Sequence, residues 1–394
     1  MSGITLSPLQ ALCWIPDLFS GFGYRYSGGV MVDLDDSTTF ESLDPSGLHR
    51  RLQGLPAQCR RAWDEAKRTE FPDEWRECTE VVVAGMGGSA IAGDLAADLA
   101  GPSSNTPVRV VRDFEIPGIS ANRASQPGQL IIVCSFSGET EETLSMFDQA
   151  QSAGAAMAAI TGGGALGRRA AEAGIPVMNV DAPGEPRSAV GYNLMLLAAL
   201  LDRIGVISIS DREAAEAVEA AESMVSQVGI EVLVENNPAK SLAADLVGRL
   251  ILVYGGGNFS GMALRWKSQI NENGKSWAFA ELLPELFHNS VESFPGGPEI
   301  RQRTTALLLK PHQTTPGLHR RYTVLGEMLD HSGIENRMFT GVQGGPLTQS
   351  LPMIVLGDYV SYYLGLLNGI NPSETPSINL SKERMSGSGR GRDS

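Results

Sequence analysis

The sequence predicts an α/β protein built from two doubly wound parallel-sheet subdomains, each with helices on both faces of its sheet, in a three-layer α/β/α arrangement. Short apolar, β-branched runs alternate with segments of helical spacing along most of the chain. One unit, a buried strand followed by a glycine-rich turn and a helix start, occurs at residues 81–93 and again from residue 250. A chain of 394 residues is long enough to bury two such cores.

Composition divides the chain into five segments. The first contains an apolar stretch that Pro16 and Asp17 interrupt and that no basic residues precede, so it is a poor signal peptide. The last is rich in Gly, Ser and Arg, which is typical of a flexible tail. The predicted segments are a loose N-terminal extension (1–30), a helical lead-in (31–78), a first domain (79–230), a second domain (231–383) and a flexible tail (384–394).

In the first half, helical spacing predicts a lead-in helix, and β-branched or small apolar runs predict the strands that follow it. Acidic residues after Thr140 predict a helix start there, and Gly229 closes a long amphipathic helix. The predicted strands are residues 81–84, 108–111, 131–134, 156–160 and 176–180. The predicted helices are residues 48–67, 94–99, 166–173, 190–201 and 211–228.

The second half repeats the pattern. Residues 250–254 form an apolar strand, three glycines follow, and a helix begins after Gly261. Residues 306–309 predict a further strand, and residues 320–329 and 354–367 predict helices. This half has no counterpart of the hydroxyl-rich turn described below, so we expect one phosphate site per chain.

Charge and cysteine content exclude several classes of function. The formal net charge of −14 disfavours nucleic acid as a partner. No run of about 18 apolar residues predicts a membrane span. The four cysteines show neither paired nor metal-ligand spacing, so we predict no metal site and a reducing, cytoplasmic location.

The most informative stretch is a strand that ends in hydroxyl residues and runs into a helix. Ser135, Ser137, Gly138 and Thr140 follow the apolar run, and Glu141 opens the helix. The first helical N–H groups have no partner and favour an anion, and three hydroxyls add donors for phosphate oxygens. The alternative is a simple helix cap, which accounts for one hydroxyl better than for three.

A second turn of the same kind follows the first predicted strand. Gly85, Gly87 and Gly88 permit close approach of the backbone, and Ser89 adds a hydroxyl. The spacing also suggests the dinucleotide fingerprint of an oxidoreductase, but residue 90 is not glycine and the match is poor. In a parallel sheet both turns lie beyond the C-terminal ends of the strands, where ligands bind.

Four further residues are candidates for chemistry. Glu272 supplies a carboxylate base, and His288, one of five histidines, can shuttle protons near neutral pH. Arg187, near a helix start, and Lys382 supply positive charge. Each has a plain structural alternative: a solvated helix end for Glu272, a capped or core histidine, and surface charges for the two cations.

Several motifs occur in one order along the chain. They are Gly85-Met86-Gly87-Gly88-Ser89, Ser135-x-Ser137-Gly138-x-Thr140, Pro186-Arg187, Arg265-Trp266-Lys267-x-Gln269-x-Asn271-Glu272-Asn273, Glu285-Leu286-x-His288-Asn289 and Thr375-Pro376 with Lys382. This set resembles the bifunctional phosphoglucose/phosphomannose isomerases of the sugar isomerase (SIS) fold. The likeness covers about residues 31–383, and the Asn-Glu-Asn and Glu-Leu-x-His-Asn motifs are its most specific part.

The resemblance implies an aldose–ketose isomerase of glucose, mannose and fructose 6-phosphates that needs no cofactor. It implies that Glu272 moves the proton between C1 and C2 and that Arg187 steadies the enediolate. It also implies that His288, reaching in from the partner of a homodimer, helps to open the ring. Further implied roles are ring opening and hydroxyl binding for Lys382, room for both epimers at Thr375, and phosphate binding for Gly87, Gly88, Ser89, Ser135, Ser137, Gly138 and Thr140.

Two points leave the function open at this stage. Glu139 stands where asparagine is common in the family, and a carboxylate beside a phosphate is unfavourable unless it points to solvent. A non-catalytic SIS-domain sensor of sugar phosphates is the alternative function. Such a sensor would need neither Glu272 nor His288 and would usually carry a basic DNA-binding module, which the sequence does not show.

Overall fold

In a computed structural model, the described residues are 32–101, 104–119 and 128–387. One compact unit spans Met31–Ser373, and residues 374–387 belong to a second unit. The predicted extension, residues 1–30, lies outside the described residues. The final helix continues to Gly387, so residues 384–387 of the predicted tail are helical, and the remainder of the tail also lies outside the described residues.

The first sheet has five parallel strands in the spatial order β2-β1-β3-β4-β5. Its central strands are rich in Val, Ile, Leu and Ala and are buried on both faces, as helices on both sides require. The strands are β1 (Glu80–Gly85), β2 (Val108–Val111), β3 (Gln129–Ser135), β4 (Ala156–Thr161) and β5 (Val177–Asn179).

The second sheet has four parallel strands in the order β7-β6-β8-β9. This order repeats that of the first four strands of the first sheet, as the internal repeat in the sequence predicts. The strands are β6 (Leu250–Gly256), β7 (Ala278–Leu283), β8 (Thr304–Lys310) and β9 (Glu335–Thr340). The two edge strands, β7 and β9, were not predicted from the sequence, because their partly exposed residues include charged and alanine positions that weaken the strand pattern.

Helices cover both sheets and fill the space between them. Those of the compact unit are α1 (Ser37–Leu43), α2 (Leu48–Gln53), α3 (Leu55–Ala66), α4 (Gly87–Ala100), α5 (Glu141–Ser152), α6 (Gly164–Glu172), α7 (Val190–Arg203), α8 (Asp211–Val228), α9 (Pro238–Leu246), α10 (Ser260–Glu272), α11 (Pro298–Arg303), α12 (Pro316–His331) and α13 (Pro346–Leu367). The second unit contains α14 (Pro376–Gly387).

Alternate residues of each strand pack into different cores, which defines the layers. Val81 and Val83 of β1 share a central core with Ile251 of β6, together with helices such as α4, α7, α10 and α13. Val82 faces a smaller core under α5 and α6. Leu308 of β8 faces a third core under α12. The helices between the two sheets therefore form one shared layer.

Helix boundaries account for further differences from the sequence prediction. Helix α4 begins at Gly87 rather than near Asp94, so the glycine turn forms its first helical turn. Helix α13 begins at Pro346 rather than near Ile354, and Gly54 divides the predicted lead-in helix into α2 and α3. In the first case tertiary packing overrides the low helix propensity of glycine.

Helix α13 is, by length and composition, long and apolar enough to cross a membrane. It is the one such helix among the described residues, and 94% of its most apolar window is buried inside the protein. It packs in the central core against α8, α9 and α10. Its apolar residues are therefore accounted for by the protein interior.

Candidate active site

The order of the first sheet places the candidate site between β1 and β3. The chain proceeds from β1 outward to β2 on one side and continues through β3 to β5 on the other. Ligands of doubly wound sheets bind at such a switch point, beyond the C-terminal ends of the strands. β1 leads into the glycine turn of α4, and β3 leads into the hydroxyl turn of α5. Both predicted anion turns therefore meet at the switch point.

Hydrogen bonds orient the hydroxyls of the turn after β3. Ser135 Oγ accepts from Gly138 N–H at 3.1 Å and donates to Thr140 Oγ1 at 3.1 Å, so the proton of Thr140 remains available. Ser137 Oγ accepts from Glu139 N–H at 3.2 Å, and its side chain is exposed. No side chain caps α5, and its first N–H groups remain available to an anion.

Glycine is required at residue 138 by both conformation and space. Its φ is +67°, and a Cβ there would lie 1.9 Å from the carbonyl oxygen of Gly163. The neighbouring Glu139 directs its carboxylate away from the turn: Oε1 accepts from Ala165 N–H at 2.8 Å, in the first turn of α6. Its charge is thus used at another helix N-terminus, which removes the objection that this carboxylate raised for phosphate binding.

The turn after β1 brings α4 close to Arg187. No side chain caps α4, and Ser89 is buried in its first turn. A Cβ on Gly88 would lie 3.2 Å from the carbonyl oxygen of Pro186 and 3.4 Å from Cα of Arg187. The second glycine in the turn therefore permits the segment that carries Arg187 to pack against an uncapped helix N-terminus.

The corresponding turn of the second sheet is occupied by a side chain of the protein. Asp98 of α4 accepts from Gly261 N–H at 2.7 Å, at the start of α10. Burial raises the pKa of Asp98 to about 8, an effect that this backbone hydrogen bond opposes. Because the carboxyl group of Asp98 already accepts from an N–H group at this helix N-terminus, the contact favours the predicted single phosphate site per chain.

Arg187 is a buried residue, not a surface charge. It lies in a 3-10 turn, Pro186–Ala189, and its side chain is 5% exposed. Nε donates to Asn273 Oδ1 at 2.6 Å, and Nη2 donates to the carbonyl oxygens of Pro372 and Ser373 at 2.9 and 2.8 Å. Burial lowers the pKa of Arg187, and the negative charge of Glu272 acts in the opposite direction.

Glu272 is the last residue of α10 and lies beside Arg187. Its Oε2 is 3.6 Å from Arg187 Nη1, and its side chain is 29% exposed. The carboxylate is therefore accessible, while the cation that it faces is buried. Glu272, Arg187, Gly88 and the two anion turns form one continuous region, which we call the site cluster (Gly87–Ser89, Ser135–Thr140, Arg187 and Glu272).

Within one chain, His288 and Glu272 lie near opposite ends of strand β7 in the second sheet. Helix α10 runs back from the C-terminal end of β6, so Glu272 lies near the start of β7, where Ala278 pairs with Ile251. Strand β7 runs parallel to β6, and His288 follows its C-terminal end in a 3-10 turn, Glu285–His288. Six residues of strand separate the two ends by about 17 Å. The imidazole is exposed and makes no hydrogen bond with another described residue.

Thr375 and Lys382 belong to the second unit, residues 374–387. The carbonyl oxygen of Thr375 accepts from Asn379 N–H at 3.1 Å, in the first turn of α14. Lys382 is an exposed residue of that helix. Their roles stay predictions.

Comparisons with known proteins agree with this geometry. The model of the bacterial phospho-glucose isomerase C-terminal SIS domain matches residues 235–385. A bifunctional phosphoglucose/phosphomannose isomerase of Caldicellulosiruptor bescii is 31% identical over 86% of this chain and 98% of its own length. One of Aquifex aeolicus is 32% identical over 77% of this chain and 90% of its own length. The chain belongs to the bifunctional phosphoglucose/phosphomannose isomerase family.

A solved structure supports the fold of this family member independently. A hypothetical protein from Thermus thermophilus has a TM-score of 0.68 at 16% identity, and the match covers 90% of this chain and 93% of that one. At that identity the likeness shows the shared fold alone.

Sequence reasoning did not assign a role to three residues that organise the site of this isomerase-family chain. Asn273 holds Arg187 directly. Arg265 donates from Nη2 to the backbone carbonyl of Arg187 at 2.9 Å and to both carboxylate oxygens of Asp358 at 2.8 Å. Arg265 and Asn273 stand in the motif around Glu272, which is the signal that could have identified them. Asp358 of α13 has no comparable local signal.

Proposed function

We propose that this protein interconverts glucose 6-phosphate, mannose 6-phosphate and fructose 6-phosphate through a cis-enediol(ate) intermediate. The observation that carries the proposal is the pairing of an accessible carboxylate, Glu272, with a buried guanidinium, Arg187, next to two uncapped helix N-termini. Aldose–ketose isomerisation needs these three elements: a fixed phosphate, a base over C1 and C2, and a cation for the enediolate.

The phosphate group is proposed to bind at the switch point. The N–H groups of Gly87 and Gly88 and the first N–H groups of α5 would meet its oxygens, as helix N-termini do for other anions. The hydroxyls of Ser137 and Thr140 retain free protons to donate. Ser89 and Ser135 complete the set from buried positions.

The proton transfer is proposed to use Glu272 alone as base. In the open-chain aldose, Glu272 takes the proton from C2, the C1–C2 double bond forms, and the C1 carbonyl oxygen becomes the enediolate oxygen. Arg187 Nη1 stabilises that negative charge. Glu272 then returns the proton to C1, and the proton of the C2 hydroxyl passes to the oxygen on C1, so that the C2 carbonyl and the C1 hydroxyl of the ketose form. No electron acceptor outside the substrate is needed.

The residues proposed for ring opening and for acceptance of both epimers are assigned from the resemblance to the isomerase family. Lys382 and His288 are proposed to assist ring opening, and Thr375 to leave room for substituents at C2 in both epimers. Neither metal nor organic cofactor is required by this scheme. The cysteine pattern and the acidic charge are consistent with a cytoplasmic enzyme of small substrates rather than one that acts on nucleic acid.

We propose a homodimer with composite sites. His288 lies too far from Glu272 of its own chain to share its site, whereas a two-fold partner can present the same residue from outside. The edge strand β7, which leads to His288, and the residue before it also expose large apolar side chains. Trp277 is 74% and Phe279 47% exposed, and their rings stack at 5.9 Å. Cover by a second copy would remove this apolar surface from water.

A coupled assay on the purified protein tests the function. We expect conversion of fructose 6-phosphate to both glucose 6-phosphate and mannose 6-phosphate, with activity unchanged by EDTA. Saturable binding of these sugar phosphates without any turnover would overturn the enzymatic proposal and favour a sensor. Loss of activity in EDTA that added metal restores would overturn the metal-free scheme.

Ser137→Ala is expected to raise KM by roughly 10- to 150-fold, which corresponds to about 1.5–3 kcal/mol for a hydrogen bond to a charged group. The physical reason is that Ser137 is exposed and its proton has no partner within the turn. Steady-state kinetics with fructose 6-phosphate measure the change. Ser152→Ala, the same substitution at the other end of α5, is the matched control. Equal KM values in Ser137→Ala, Ser135→Ala and the control would show that this turn does not bind the phosphate.

A further inference from the structure

Arginine side chains around the site cluster are held in two different ways. Arg265 is paired bidentately with the carboxylate of Asp358, and both are almost fully buried. Arg51 is paired bidentately with Glu185, through Nε at 2.9 Å and Nη2 at 2.7 Å. In both pairs the positive charge is compensated at hydrogen-bond distance.

Arg187 is instead held by neutral oxygens. Three of its five N–H groups are used by the side-chain amide of Asn273 and the carbonyls of Pro372 and Ser373. The two N–H groups of Nη1 remain, and the nearest carboxylate oxygen, on Glu272, is 3.6 Å away. The guanidinium is thus fixed in place without a hydrogen-bonded counter-charge.

The amide of Asn273 is itself fixed. Its Nδ2 donates to Ser361 Oγ at 3.1 Å, and that hydroxyl uses its own proton on the carbonyl of Asp358 at 2.8 Å. Ser361 can therefore only accept from Asn273, which requires the amide nitrogen to face Ser361 and the amide oxygen to face Arg187. Asn273 is fully buried, so water does not compete for these contacts.

We propose that Asn273 is a positioning residue that holds Arg187 through a neutral oxygen. The positive charge of the guanidinium is then not neutralised, and Nη1 faces Glu272 and the enediolate. This inference rests on the proposed isomerase function and names a further residue for that reaction. A carboxylate at residue 273 would have the same shape but would neutralise Arg187 and place a second negative charge next to Glu272.

The competing explanation is that Asn273 only ties the end of α10 to the turn that carries Arg187. The isosteric Asp would then serve as well or better, because a charge-assisted hydrogen bond to arginine is stronger than a neutral one. The charged groups around Arg187 are Glu272, Glu185, Asp358, Arg265 and Arg51. None of them is altered by the substitution. Asn273→Asp adds a negative charge and also removes the hydrogen bond from Nδ2 to Ser361, whereas Asn273→Ala removes that hydrogen bond without adding charge, so the difference between the two variants reports the charge.

Asn273→Asp therefore tests the proposal, with Asn236→Asp on an exposed turn as the matched control. We expect a thermal midpoint within a few degrees of wild type, a kcat for fructose 6-phosphate lower by at least tenfold, and a nearly unchanged KM. The pH profile of kcat/KM should also differ from that of wild type, because Asn273→Asp places a new carboxylate beside Arg187. Asn273→Ala should lower activity without this change in the profile.

Calorimetry separates this inference from the proposed function. A sugar-phosphate hydroxamate, which carries negative charge where the enediolate would, is expected to bind Asn273→Asp at least tenfold more weakly than wild type, while a neutral sugar-alcohol phosphate binds both alike. An inactive wild type that still shows this difference would defeat the isomerase proposal and leave the role of Asn273 standing. An active wild type with equal hydroxamate affinity, kcat and pH profile in Asn273→Asp would overturn the role of Asn273, as would an Asn273→Asp protein that does not fold.

Discussion

Glu272→Gln is expected to lower kcat by roughly 100- to 10,000-fold, the range in which a positioned general base contributes. The amide keeps the shape of the side chain and its place at the end of α10, but it cannot accept a proton from carbon. Because the proposed phosphate-binding turns and Arg187 are unchanged in this variant, binding of fructose 6-phosphate should persist. Steady-state kinetics and calorimetry with the sugar phosphate measure the two effects separately.

Isotope transfer identifies the step that Glu272 performs. In D₂O, wild-type protein should place deuterium at C2 of the aldose formed from fructose 6-phosphate, because a proton held on Glu272 exchanges with solvent between the two transfers. Glu299→Gln, the same change on α11, is the control and should retain full activity. Turnover by Glu272→Gln close to that of wild type would show that another group is the base.

His288→Ala is the second substitution from which we expect near-complete loss of turnover, and it allows a test of where His288 acts. Suppose Glu272→Gln and His288→Ala proteins are mixed in equal amounts and allowed to exchange subunits. Half of the dimers are then heterodimers, and each holds one site with both defects and one with neither. Activity should return to roughly a quarter of wild type by this symmetry count.

A double variant provides the control for that experiment. When the Glu272→Gln, His288→Ala chain is mixed with an equal amount of wild type, composite sites make every heterodimer inactive, so about a quarter of all sites should remain active. Sites confined to one chain would leave about half of them active, and would give no recovery in the first mixture. Verified exchange with those results would refute the composite site and would not affect Glu272 as base.

The sequence predicts the local structure of the two anion turns well because it depends on short-range contacts. Ser135, Gly138 and Thr140 contact one another within five positions, and the strand before them and the helix after them follow from short-range patterns. The double parallel sheet is predictable for the same reason, since each strand and helix shows its own periodicity. Helix starts are less predictable: the first turn of α4 contains two glycines because the close packing of Gly88 against Pro186 outweighs the propensity of glycine.

The sequence by itself determined the two anion turns, the motif around Glu272 and the family. The tertiary structure decided that Arg187 is buried, that neutral oxygens hold it, that Asp98 accepts a hydrogen bond from the start of α10, and that Glu272 and His288 lie near opposite ends of strand β7. Arg187 meets Asn273 across 86 positions and Ser373 across 186. Contacts of that kind depend on how the layers pack, because neither partner carries a local pattern that specifies the other.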